Sequence, residues 1–142
     1  MTKVLKIHPV TPAQAQAMQA AAKAVKPNTF PVPDHFTAAV LTTSGAIYPG
    51  VSYRSDTRTL TMHGEATALA HAAIHGESDI IAITGPNCHI CKQLIWESAI
   101  RSGIDIQVAM DDGQLVPISK QMPYPWPDVE GRKFAKHEKP LN

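Results

Sequence analysis

The apolar residues of this chain fall in short runs that switch repeatedly between strand-like and helix-like patterns. Phe36 to Thr43 (FTAAVLTT) and Ala46 to Arg54 (AIYPGVSYR) flank Ser44-Gly45, a pairing that predicts a β-hairpin. Pro49 assigns the second run to a sheet edge or a bulge. Asp79 to Thr84 (DIIAIT) is a short, continuous apolar run of the kind that forms a buried strand. Ile104 to Met110 (IDIQVAM) alternates like a strand, Asp111-Asp112-Gly113 turns the chain, and Gln114 to Ile118 predicts a last short strand. Three helical segments lie among them. Thr11-Pro12 supplies an N-cap and a Pro at the first helical position, so the Ala/Gln-rich stretch from Ala13 to Val25 predicts a helix ended by Pro27. Gly64 to His75, with Gly76 behind it, predicts a second, and Cys88 to Ser102, closed by Gly103, a third. The Pro27, Pro31, Pro33 segment and the polar residues 55–62 predict loops.

The resulting order, α-β-β-α-β-α-β-β, implies a mixed sheet with helices on its faces. A length of 142 residues fits one domain with a core large enough to stand without disulfides. We assign residues 1–128 to that domain and expect the polar, basic stretch 129–142 to be a flexible tail. A net charge of +1 argues against nucleic acid and anionic membranes as partners. The N-terminus, MTKVLKIHPV, lacks the apolar core of a secretory signal, and no apolar run approaches a membrane span, so a soluble, cytoplasmic protein is expected.

Chemistry concentrates in GPNCHICKQLIWE, Gly85 to Glu97, which holds the chain's two cysteines. In a reducing compartment a lone C-x-x-C is more often metal-binding or catalytic than a structural disulfide. Cys88 and Cys91 are i and i+3 in the first turn of a predicted helix, where both sulfurs converge and the helix terminus favours thiolates. A catalytic zinc usually takes three protein ligands and keeps a fourth position for water, so a third ligand is needed. His63-Gly64-Glu65 opens the preceding helix, and the intervening α-β unit can bring the two helix starts side by side. His63, Cys88 and Cys91 with a non-ligating Glu65 form the zinc deaminase pattern H-x-E…P-C-x-x-C.

Here the chain resembles the cytidine deaminase family, including its blasticidin-type members. M-H-G-E-A-T-A opens a helix as in the family, C-H-I-C-K-Q-L-I-W-E resembles C-x-x-C-R-Q-x-x-x-E, and T-A-A-V-L-T-T-S-G-A-I-Y-P-G-V-S resembles the family's hairpin. The likeness runs from about Phe30 to Trp126. It implies a three-layer α/β/α fold with a mixed five-stranded sheet. It also implies one Zn²⁺ per chain on His63, Cys88 and Cys91, and Glu65 as the proton shuttle. The implied reaction is hydrolysis of an exocyclic amine on a small nucleoside or amino-heterocycle, in a homodimer or homotetramer. Backbone around Gly64, Pro86 and Asn87 would line the ring pocket. Asn87 separates Pro86 from Cys88, where the family usually has Pro directly before the Cys. The family's ribose-binding N-x-E is replaced by Ser52-Tyr53-Arg54, so the usual acidic contact has become Arg, and Asp34-His35 stand where a Phe is common near the base.

Several residues admit a plainer role. Cys88 and Cys91 also suit a thiol–disulfide pair, and the cluster also suits a non-catalytic zinc site; the first leaves His63 and Glu65 unused, the second leaves Glu65 unused. Arg54 is either a clamp for a phosphate or carboxylate or an ordinary exposed strand residue. Ser52 can bond a substrate hydroxyl. Trp126 and Tyr124 either stack on a planar ring or cover the core. His71 and His75 have helical i, i+4 spacing but no third ligand, and His89 lies between the cysteines at a pocket edge.

Overall fold

The structure is a computed structural model that describes residues 4–131. Of the tail expected over 129–142, residues from 132 onward lie outside the described part, whereas Val129 packs against the larger core. Helix α1 (Pro12–Ala24) leads into the hairpin β1 (Thr37–Thr42) and β2 (Ile47–Val51). Helix α2 (Gly64–Ile74), β3 (Ile80–Ile83), α3 (His89–Ser102), β4 (Gln107–Ala109) and β5 (Leu115–Pro117) follow. The five strands form one sheet in the order β2-β1-β3-β4-β5. Only the β3–β4 pair is parallel; the other three are antiparallel. No helix among the described residues is long and apolar enough to cross a membrane.

The helices form where their caps allow. Thr11 and Gln14 make a reciprocal capping box, each side chain accepting the other's backbone N–H at 3.1 and 3.0 Å. Pro49 lies in β2, an edge strand, where a missing N–H costs no ladder bond.

The alternation of β1 divides the core in two. Ala38 and Val40 face α2 and α3, with Ala68, Ala72, Ile95, Trp96 and Ala99. Ala39 and Leu41 face α1, with Met18 and Ala22. The sheet is therefore the middle of three layers, as expected. In β3 the alternation fails: Ile81 and Ala82 both pack on the α1 side. A register shift between Leu41 and Thr42 explains this, because a bulge turns two successive residues to one face.

The fourth strand is shorter than the alternation of Ile104 to Met110 predicts. Ile104 instead makes an isolated parallel bridge to Lys6, and the Asp105 carboxylate accepts from the Ser119 N–H and hydroxyl at 3.1 and 2.6 Å.

One contact fixes the position of α2. A Cβ at Gly50 would lie 2.2 Å from both the Ala68 nitrogen and the Gly64 carbonyl oxygen. The helix thus rests directly on the β2 backbone, which only a glycine permits. The Thr67 hydroxyl donates to the Val51 carbonyl at 2.7 Å and holds the same end down.

Candidate active site

Two helices begin side by side at the edge where β1 starts and β3 ends. His63 is the N-cap of α2 and Cys88 the N-cap of α3. Neither side chain makes a capping bond, so both are available for other partners. Cys91 follows in the first turn of α3 and is buried, while Cys88 is exposed. His63 Nδ1 lies 3.2 Å from Cys91 Sγ and 3.4 Å from Cys88 Sγ. The three ligand atoms lie within 4.8 Å of one another, and among the described residues no other group of His, Cys, Asp and Glu converges in this way.

Glu65 lies in the first turn of α2 and is 2 % exposed. Its Oε2 accepts the backbone N–H of Asn87 at 2.9 Å. Asn87 reaches this position with φ +53°, in the left-handed region that Asn tolerates better than most residues, and its Nδ2 donates to the Gly85 carbonyl at 2.8 Å. Gly85 has φ +127°, and a Cβ there would press to 3.1 Å of the Glu65 carboxyl carbon. The bend from β3 into α3 therefore wraps the carboxylate.

The donor set fits zinc. An imidazole and two sulfurs are soft and borderline ligands, and two thiolates cancel the charge of Zn²⁺. Burial pushes the Cys91 thiol up, reinforced by the neighbouring Glu65 and Cys88. A divalent cation among these groups would reverse that balance by binding the thiolate.

A cavity of about 300 Å³ opens over the cluster. It is lined by His63, Gly64, Glu65, Pro86 and Cys88 at the ligand end, and by Phe36, Ser52, Arg54 and Thr61 toward the mouth. Asn87 and Trp126 are not among the lining residues. The Trp126 carbonyl accepts from Gln93 Nε2 at 2.6 Å, and Trp96 Nε1 donates to the Pro127 carbonyl at 2.7 Å, so this segment is strapped along α3. Tyr124 is 93 % exposed, and Trp96 is in the core. His71 and His75 flank Tyr48 on the surface, away from this cavity.

Arg54 is not alone at the mouth. Its Nη2 lies 2.7 Å from Asp34 Oδ2, a pairing the sequence reading lacked. A signal for it existed. The hairpin register pairs Thr37 with Val51, and extending it three places sets Asp34 opposite Arg54. Phe36 and Thr61 were also missed as lining residues. The same register extension sets Phe36 beside Ser52, whereas Thr61 sits in a loop with no periodic signal.

Comparison with known proteins agrees with this geometry. The profile of the cytidine and deoxycytidylate deaminase zinc-binding region matches residues 12–104. No curated protein matches the sequence. Among solved structures, a cytidine deaminase from Burkholderia pseudomallei is 21 % identical, with a TM-score of 0.63, covering 78 % of this chain and 98 % of that one. A cytidine deaminase from Mycobacterium leprae is 18 % identical, with a TM-score of 0.64 over 76 % of this chain and 96 % of the other. One from Mycobacterium tuberculosis is 15 % identical, with a TM-score of 0.67 over 78 % and 95 %. At these identities the likeness is one of fold.

Proposed function

Because the chain belongs to the cytidine and deoxycytidylate deaminase family, we propose that it is a zinc-dependent hydrolase that replaces the exocyclic amine of a cytidine-like nucleoside with oxygen and releases ammonia. The observation that carries this reading is the convergence of His63 Nδ1 and both sulfurs beside a buried Glu65, with His63, Glu65 and Cys88 lining one cavity. His63, Cys88 and Cys91 would hold the metal. When bound, zinc supplies Lewis acidity that brings the pKa of a water to about 7.

The chain's own groups do the rest. Glu65 Oε2 is engaged by the Asn87 N–H, so proton transfer falls to Oε1. That oxygen takes one proton from the attacking water and gives it to the ring nitrogen, where it stays; it then takes the second proton from the hydroxyl now on the ring carbon and gives it to the departing amine, leaving a carbonyl and ammonia. Acid–base help of this kind is worth roughly 10²–10⁴-fold. Gly64, Pro86 and Phe36 give the ring a largely apolar slot. A thiol–disulfide role would leave His63, within 3.4 Å of both sulfurs, without a purpose.

A homo-oligomer fits the surface beside the mouth. Phe30 and Tyr53 stack at 4.4 Å and are about half exposed, and Met62, which pairs with Tyr53, is exposed as well. Such an apolar patch suits a second copy.

The test is ammonia release by zinc-loaded protein from cytidine, deoxycytidine, cytosine, adenosine, guanine, cytidine 5′-monophosphate and blasticidin S, with Glu65→Gln as control. Release from a cytosine-bearing compound that vanishes in the control supports the proposal. Silence across the panel with zinc bound overturns it.

A further inference from the structure

The family's description spans both a nucleoside and a nucleotide, which differ by one phosphate. Resting on the deaminase reading above, we propose that Asp34 is a specificity-determining residue: by holding Arg54 in an ion pair, it makes the site read a neutral, hydroxyl-bearing arm of the substrate and reject a phosphate.

The argument begins with placement. If the amine-bearing ring sits against Glu65, the rest of the substrate must extend toward Ser52 and Arg54, which line the same cavity. An isolated Arg there would be a clamp for phosphate or carboxylate. Arg54 is not isolated. Its guanidinium meets Asp34 at 2.7 Å, so the pair carries no net charge into the mouth.

Asp34 is built in rather than a placeholder that a phosphate could displace. Its Oδ1 accepts the Phe36 N–H at 2.7 Å, and its own N–H donates to Thr29 Oγ1 at 2.6 Å. The Ser52 hydroxyl donates toward its Oδ2 at 3.3 Å. The Asp34 side chain is 12 % exposed, against 41 % for Arg54. Drawing Arg54 toward a phosphate would leave a largely buried carboxylate uncompensated, and the phosphate itself would face that carboxylate. Arg54 is steadied as well: its guanidinium lies 5.2 Å from the Phe36 ring centre, and its backbone N–H donates to the Phe30 carbonyl at 3.0 Å.

What remains available is a donor and an acceptor. The guanidinium has N–H groups beyond the one facing Asp34, and the Ser52 oxygen keeps lone pairs after donating. A hydroxyl group, which both donates and accepts, complements that set.

The experiment compares kcat/KM for cytidine and cytidine 5′-monophosphate in zinc-loaded wild type, Asp34→Asn and Arg54→Gln. Wild type is expected to prefer cytidine. Asp34→Asn should raise the nucleotide-to-nucleoside ratio about tenfold or more, and Arg54→Gln should lower it, because each leaves one charge of opposite sign uncancelled. The Kd values of uridine and uridine 5′-monophosphate, read by calorimetry, should shift in the same directions without turnover. Should Asp34→Asn fail to fold, the wild-type preference and Arg54→Gln still decide. A wild type that uses the nucleotide at least as well, or two variants that move the ratio the same way, overturns the inference while the deaminase reading stands. No ammonia from either compound overturns the deaminase reading, and this inference with it.

Discussion

The backbone N–H of Asn87 donates to Glu65 Oε2 at 2.9 Å, joining the residue just before one helix to the first turn of another across 22 positions of chain. The contact depends on the left-handed backbone of Asn87. Asn87→Gly keeps that conformation accessible and should retain most activity. Asn87→Ala carries a penalty of about 1–2 kcal/mol in this region and should relax the bend, lowering kcat more than KM. Steady-state kinetics of both variants, with zinc content checked, tests the relationship. Equal losses in the two would mean that the side chain, not the backbone angle, matters.

Glu65→Gln preserves size and the acceptor for Asn87 but cannot shuttle a proton. It should lower ammonia release by roughly 10²–10⁴-fold or more while zinc binding persists. Metal analysis beside the activity assay separates the two effects. Loss of zinc in this variant would make Glu65 part of the metal cluster.

Stripping the metal with a chelator should abolish activity, lower the thermal midpoint, and be reversed by zinc, since a ligand that binds only the folded state stabilises it. Cys91→Ser and His63→Ala should each lower zinc affinity. Calorimetric titration of the stripped protein reads this directly.

Gly50→Ala would bring a methyl carbon to 2.2 Å of the α2 backbone, where no side chain can yield. Overpacking of this kind typically costs about 1–3 kcal/mol, and two backbone atoms at this distance put it at or above the upper end. Urea unfolding measures the loss. Activity should fall too, because the displaced helix carries His63 and Glu65.

A clasp on the far side of α2 makes a pH prediction. Glu77 accepts from the hydroxyls of Ser44, Tyr48 and Thr42, and His75 stacks on Tyr48 at 4.9 Å. The Ser44 and Tyr48 hydroxyls hold the Glu77 carboxyl below its ordinary 4.5, so its contribution is complete above that pH and lost as pH falls through the folded value. The same bond raises Tyr48 above 10.0, so its contribution is complete below that pH and lost as pH rises through the folded value. The clasp's own contribution should therefore plateau between these limits, and Glu77→Gln should flatten the acid limb of a Tm-against-pH curve.

Much of this was legible in the sequence because its signals are local. Thr11-Pro12, Gly76 and Gly103 bound helices within a residue or two of their observed ends. The H-x-E and C-x-x-C spacings carry their own geometry, since each lies within a single helical turn. Contacts distant in sequence were less visible. Nothing in IDIQVAM announces that Ile104 pairs with Lys6 or that Asp105 bonds Ser119, and these contacts shorten β4. Ser52 and Arg54 were singled out from the resemblance, but the Asp34 partner appears only when the hairpin register is carried past the strand ends.

The residues that would grip zinc stand on helices anchored by hydrocarbon rather than by one another. Ala68 and Ala72 seat α2, and Ile95, Trp96 and Ala99 seat α3, all in the main core. The receptacle is thus assembled by packing, and metal uptake becomes a separate event from folding. For whoever purifies the protein, a sharp melt or a well-dispersed spectrum certifies the scaffold, and only a shift of the midpoint on adding or stripping zinc reports on its cargo. An assay run on such a sample weighs zinc chemistry only once the metal has been counted.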